Sequence, residues 1–122
     1  MVRLNESGLM RGLSEKDGSR MDRVMQFLLK NRFQRITLEE TAEVANLSKE
    51  AFCRFFKLRT RKTFTAYLIQ LRISEAQKLL QESDTPISEI AYRVGFENLA
   101  YFNRSFKKTC GVTPKEWRSI SS

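Results

Sequence analysis

The sequence predicts an all-α protein of about seven helices in which one structural unit occurs twice, and three observations carry that prediction. Apolar residues recur at helical spacing, three and four positions apart, through most of the chain. Capping boxes, which mark helix starts, stand at Thr37 with Glu40 and at Thr113 with Glu116. The second half also repeats the first at a shift of 49 or 50 residues: Ala42 matches Ala91, Phe52 matches Phe102, Arg54 matches Arg104, Phe56 matches Phe106 and Lys57 matches Lys107.

Taken in order, residues 1–19 mix Gly, Ser and charges without helical periodicity and read as a flexible tail or the remnant of a linker. Residues 20–62 form the first unit. Met21, Val24, Met25, Leu28 and Leu29 make one apolar face of a helix ending near Asn31. Thr37 starts a short helix whose inner face is Leu38, Thr41, Ala42 and Ala45. Asn46 suits the left-handed turn that follows, and Ser48 caps a third helix running to about Arg59, with Phe52, Phe55 and Phe56 inward.

Residues 63–82 are expected to form the linker, whose helix of about 19 residues from Thr63 to Gln81 is about 28 Å long at 1.5 Å per residue and the longest uninterrupted helix of the chain. Its apolar positions are Phe64, Tyr67, Leu68, Leu71, Ala76, Leu79 and Leu80. Ser83, Asp84, Thr85 and Pro86 break it, and Pro86 fits the first turn of the next helix, where its missing N–H costs nothing. Residues 83–120 then repeat the first unit, with Gly95 where Asn46 stood and a last short helix carrying Trp117.

A helix-turn-helix needs a small residue where its helices cross, a residue tolerant of positive φ in the turn, and apolar residues inside the second helix. Ala42, Asn46 and Phe52 meet these needs in the first unit, and Ala91, Gly95 and Phe102 in the second. The face opposite the phenylalanines is then free to enter a DNA major groove. In the first unit it carries Lys49, Glu50, Cys53, Arg54 and Lys57; in the second, Leu99, Ala100, Asn103, Arg104 and Lys107. Arg reads guanine and Asn reads adenine through paired hydrogen bonds, so Arg54, Arg104 and Asn103 are the candidates for base contact. Lys57 and Lys107 are candidates for phosphate contact.

Composition narrows the function classes. The 22 Lys and Arg exceed the 14 acids, and the net charge of +8 attracts polyanions. No apolar run reaches the ~20 residues of a membrane span, and the first residues lack the apolar core of an export signal. Cys53 and Cys110 are the two cysteines and there is no histidine, which removes the commonest general base and the usual zinc ligand sets. The five glycines build no phosphate-cradling loop. Neither catalysis nor a cofactor is expected. The competing class is a nonspecific nucleic-acid-binding or architectural protein held by charge alone.

Residues 95–118, GFENLAYFNRSFKKTCGVTPKEWR, resemble the C-terminal signature of the AraC/XylS family of bacterial transcription regulators. Residues 47–57, LSKEAFCRFFK, resemble that family's first recognition helix, and Tyr67, Arg72, Ile73, Ala76, Leu79 and Leu80 its linker helix. The resemblance implies two helix-turn-helix subdomains placing one helix each in adjacent major-groove segments of promoter DNA. By position it puts base contacts at Glu50, Cys53 and Arg54, and at Leu99, Ala100, Asn103 and Arg104. It also implies a cytoplasmic, nucleoid-associated bacterial regulator, with RNA polymerase as a candidate second partner. The sensing or dimerising domain that many relatives carry is absent from these 122 residues. Two departures stand out. Arg61 occupies a place where relatives often have glycine, and Leu99 with Ala100 replaces positions that are often polar.

Overall fold

The computed structural model describes residues 8–121, with side chains over residues 18–120. Among the described residues there are seven helices and no strand: α1 (Gly8–Asn31), α2 (Leu38–Val44), α3 (Lys49–Thr60), α4 (Phe64–Glu82), α5 (Ile87–Arg93), α6 (Leu99–Cys110) and α7 (Pro114–Ser121). Local chemistry sets most of these boundaries. The Thr37 hydroxyl accepts from the Glu40 amide at 3.0 Å while the Thr37 amide donates to Glu40 Oε1 at 2.8 Å, so the capping box starts α2. Ser48, Thr63 and Asn98 cap α3, α4 and α6 through the same side-chain bond to the third helical amide. Both helix-turn-helix turns use a left-handed residue where the repeat requires one, Asn46 at φ 62° and Gly95 at φ 107°.

Two regions differ from the sequence expectation. Residues 8–19 of the expected tail continue α1, and residues 1–7 lie outside the described residues. At 24 residues α1 is longer than the 19-residue α4, so the linker helix is not the longest. Three glycines in that stretch weaken helix propensity by roughly 1 kcal/mol each, which masks the signal. Prolines are absent there, however, and extending a helix already anchored by its C-terminal half is far easier than nucleating one. Leu29, assigned to the apolar face, is 48% exposed, and Phe55 is half-buried, packing against the first core with the guanidinium of Arg59 5.7 Å over its ring.

The molecule has two cores, and α4 belongs to both. Val24 and Leu28 of α1, Ala42, Ala45, Phe52 and Phe56 of the first unit, and Phe64 and Leu68 from the first half of α4 form one cluster. Ile73, Ala76 and Leu80 from the second half of α4 join Ile90, Ala91, Val94, Phe96, Phe102 and Phe106 in the other. Each core is built on a pair of phenylalanines one helical turn apart, Phe52 with Phe56 and Phe102 with Phe106, all fully buried. Each such side chain contributes about 1.5–3 kcal/mol through burial.

The repeat also extends beyond the recognition helices. Tyr67 packs edge-on against Phe56 at 5.3 Å, and Trp117, 50 residues on, packs edge-on against Phe106 at 6.1 Å. Hence α7 is the counterpart of the first turns of α4. Arg118 closes the second unit by donating to the carbonyls of Leu80, Ser83 and Thr85, at 3.1, 3.1 and 2.8 Å, while Trp117 Nε1 donates to Gln77 O at 3.2 Å. The bonds to Leu80 and Ser83 satisfy carbonyls that the end of α4 leaves without a helical partner, and the bond to Thr85 ties down the segment that follows.

Candidate nucleic-acid interface

Because Phe52 and Phe56 anchor α3 from within, the opposite face must be in solvent. Lys49, Glu50, Cys53, Arg54 and Lys57 are all exposed there. On α6 the anchors are Phe102 and Phe106, and Ala100, Asn103, Arg104 and Lys107 are exposed. Leu99 differs from the other nine: it is half-buried and packs against the second core, so only part of its side chain is presented outward. The two faces are equivalent by the 50-residue shift, and Arg54 and Arg104 take the same place on them.

Electrostatics on these faces are uneven. Lys49 pairs with Glu39 at 3.5 Å, and the Glu39 carboxyl is held below its ordinary value by a backbone hydrogen bond first and by Lys49 second. Arg104 lies 5.9 Å over the Tyr101 ring, a cation–π placement that turns its long stem along α6. Cys53 is a free, exposed thiol, whereas burial pushes the half-buried Cys110 thiol up.

The structure adds residues that the helical-face argument missed. A groove of about 790 Å³ beside α3 is lined by Cys53, Arg54, Lys57, Leu58 and Arg61. A second, of about 700 Å³, lies between α4 and α6, with Lys62, Arg104 and Lys108 among its lining residues. No carboxylate is among the described residues lining either. A basic strip therefore continues from α3 through Arg61 and Lys62 to α6. Lys62 sits in a turn and Lys108 is one position round the helix from Lys107, so neither lies on the outward stripe. The available signal was the clustering of cations at the C-terminal ends of both helices.

Arg61 is the other departure. It ends α3 in the left-handed conformation at φ 64°, where the matching residue of the second unit is Gly111 at φ 83°. A non-glycine there costs on the order of 1 kcal/mol.

Two helix-turn-helix units on one all-helical scaffold, each presenting an exposed basic helix, define a DNA-binding domain architecture. A family profile for the helix-turn-helix domain matches residues 41–120. The HTH-type transcriptional activator RhaR of Enterobacter sp. (strain 638) is 37% identical over 101 residues, covering 83% of this chain and 36% of that protein. Among solved structures, the C-terminal domain of AraT, a response regulator from Geobacillus stearothermophilus, is 35% identical with a TM-score of 0.78, covering 83% of this chain and 84% of that one. The DNA-binding domain of AdpA, solved in complex with a target DNA, is 29% identical with a TM-score of 0.76, covering 80% and 87%. The chain belongs to the AraC-type helix-turn-helix family of transcription-regulator DNA-binding domains, which are not enzymes. It spans 35% and 36% of the length of two full-length relatives it matches. Among the described residues no helix is long and apolar enough to cross a membrane.

Proposed function

We propose that this chain recognises promoter DNA in a sequence-specific way, with α3 and α6 entering successive major-groove segments, and so regulates transcription. The observation that carries the reading is the recurrence of one exposed basic face, with an arginine at the same place, on two helices fixed to a shared scaffold. In this reading residues 20–62 and 83–120 are the two reading units and residues 63–82 join them. Arg54, Arg104 and Asn103 contact base edges. Lys57 and Lys107, with the Arg61, Lys62 and Lys108 strip, neutralise phosphates. The solved complex of the similar AdpA domain with a target DNA supports DNA as the partner. RNA polymerase is the second partner of the proposal, tested by a ternary complex on promoter DNA, and localisation on the nucleoid follows from the DNA contact.

Selection of bound sequences from random duplex DNA tests the proposal. Enrichment of a two-part motif, with binding at least about 10³ tighter than to random sequence, is the expected result. Unenriched pools together with a steep salt dependence would instead identify a charge-driven, nonspecific binder.

A further inference from the structure

The loop between α1 and α2 meets the turn between α5 and α6 across the middle of α4, and one side chain fills the joint. Arg72 of α4, half-buried, donates from Nε to Arg32 O and from Nη2 to Gln34 O, each at 2.7 Å. Both carbonyls belong to the first repeat. On its other side the same guanidinium lies against Gly95 of the second repeat. A Cβ on Gly95 would stand 2.8 Å from Arg72 Nε, 3.0 Å from its Cζ and 3.1 Å from Phe33 O. The Phe33 side chain in turn packs on the second core. Arg35 and Glu97 pair at 3.4 Å across the same boundary, but both are highly exposed, and such a pair contributes little. The two short charge-assisted bonds of Arg72 dominate the joint.

Comparing the two turns shows what the joint demands. Asn46 satisfies the left-handed turn of the first unit with a side chain in place. At position 95 the backbone, at φ 107°, lies beyond the left-handed range that Asn46 occupies, so any side chain is strained there, and the approach of Arg72 and Phe33 also crowds a Cβ. Glycine at this turn is therefore required by contact between the repeats as well as by backbone conformation.

We propose that Arg72 is the positioning residue that fixes the separation and angle between the two recognition helices, and with them the half-site spacing that the chain accepts. The proposal rests on the two-helix reading above. Each repeat is anchored to a different half of α4, so rotation of one about the α4 axis is resisted chiefly where the repeats touch. Without the Arg72 bonds each unit keeps its own core, and their relative orientation relaxes. Two linked readers bind most tightly when the span of their connection matches the span of their sites, so a rigid joint gives a sharp spacing optimum and a loose one a broad optimum.

The test uses the full chain, its selected two-part site, the same site with 1 bp removed or 1–2 bp inserted between half-sites, and a duplex carrying one half-site. Wild-type binding is expected to fall about tenfold or more at altered spacings. R72Q should lose about tenfold at the best spacing, bind all spacings within about threefold of one another, and bind the single half-site within about twofold of wild type. G95N, which intrudes on the joint from the opposite side with Arg72 intact, should flatten the profile likewise. Retention of the wild-type optimum and contrast by both variants overturns the assignment. So does a loss of single half-site binding equal to the loss on the full site, or failure of both variants to fold, since either makes the joint a matter of stability alone. If the wild-type chain shows no preferred sequence, the two-helix reading itself fails and the role of Arg72 falls with it. A peaked wild-type profile left unchanged in the variants removes Arg72 alone.

Discussion

In the proposed reading Arg54 and Arg104 carry the heaviest weight among single residues, because they stand at equivalent places on two exposed faces and a guanidinium, unlike the ammonium of Lys57 or Lys107, matches the paired acceptors of guanine. Arg54→Ala and Arg104→Ala should each cost ~1–3 kcal/mol on the preferred site and relax the preference at one or two base pairs, whereas Lys57→Ala should weaken all sequences alike. Binding measured across a panel of single-base variants checks this; a uniform loss for the arginine variants would assign them to phosphates instead. Arg61 poses a different question, since it holds a left-handed backbone that its counterpart Gly111 adopts without strain. Relief of about 1–2 kcal/mol of strain, set against the greater unfolded-state freedom of glycine, predicts that Arg61→Gly raises Tm by about 2–4 °C. The same variant should bind DNA more weakly, because Arg61 lines the basic groove with Arg54 and Lys57. A variant that is more stable and binds equally well would show that the side chain has no part in the interface.

At the level of helices, the caps translate sequence into boundaries, and one of them makes a pH-dependent prediction. The Glu116 carboxyl is held below its ordinary value by the Thr113 backbone N–H first and its side chain second, which starts α7 and seats Trp117. A carboxyl whose folded value is depressed contributes stability that is fully present above its unfolded value and is lost as pH falls through the folded one. Glu116→Ala should therefore lower Tm at pH 7, and the gap to wild type should narrow below about pH 4; a gap constant with pH would mean that the carboxylate does not act through its charge. Most of these elements were legible in the sequence because capping boxes, left-handed turn residues and paired phenylalanines are local signals. The helical part of the expected tail was not, since its glycines hide a helix that is carried by its neighbour. Nor was the joint at Arg72, because nothing local to residue 72 tells of carbonyls 38 and 40 residues away. On the candidate interface the outward stripe identified the exposed residues of α3 and α6 but passed over Lys62 and Lys108, which approach it from a turn and from the adjacent side of the helix. Leu99 was placed on that stripe by spacing and by the family resemblance, and neither shows that a residue at a helix start can lean into the core.

For the molecule as a whole, the proposed pair of different readers on one stiff scaffold predicts a bipartite, non-palindromic site, since palindromy mirrors a symmetric dimer. Inserting ~5 bp between half-sites turns one of them to the opposite face of the duplex, and binding should then fall to that of a single half-site. Full affinity retained in a gel shift at that insertion would show that one helix alone reads the DNA. The placement of α4 in both cores also governs how the chain can be divided. Phe64 and Leu68 complete the first core and Ile73, Ala76 and Leu80 the second, so the linker is common property rather than a spacer. A cut on either side of α4 leaves one half with an open core. Residues 20–62 alone should be largely unfolded by circular dichroism, whereas residues 20–82, which keep the helix, should fold. The duplicated units are thus two modules only in sequence; physically they are indivisible unless each is supplied with its own copy of α4.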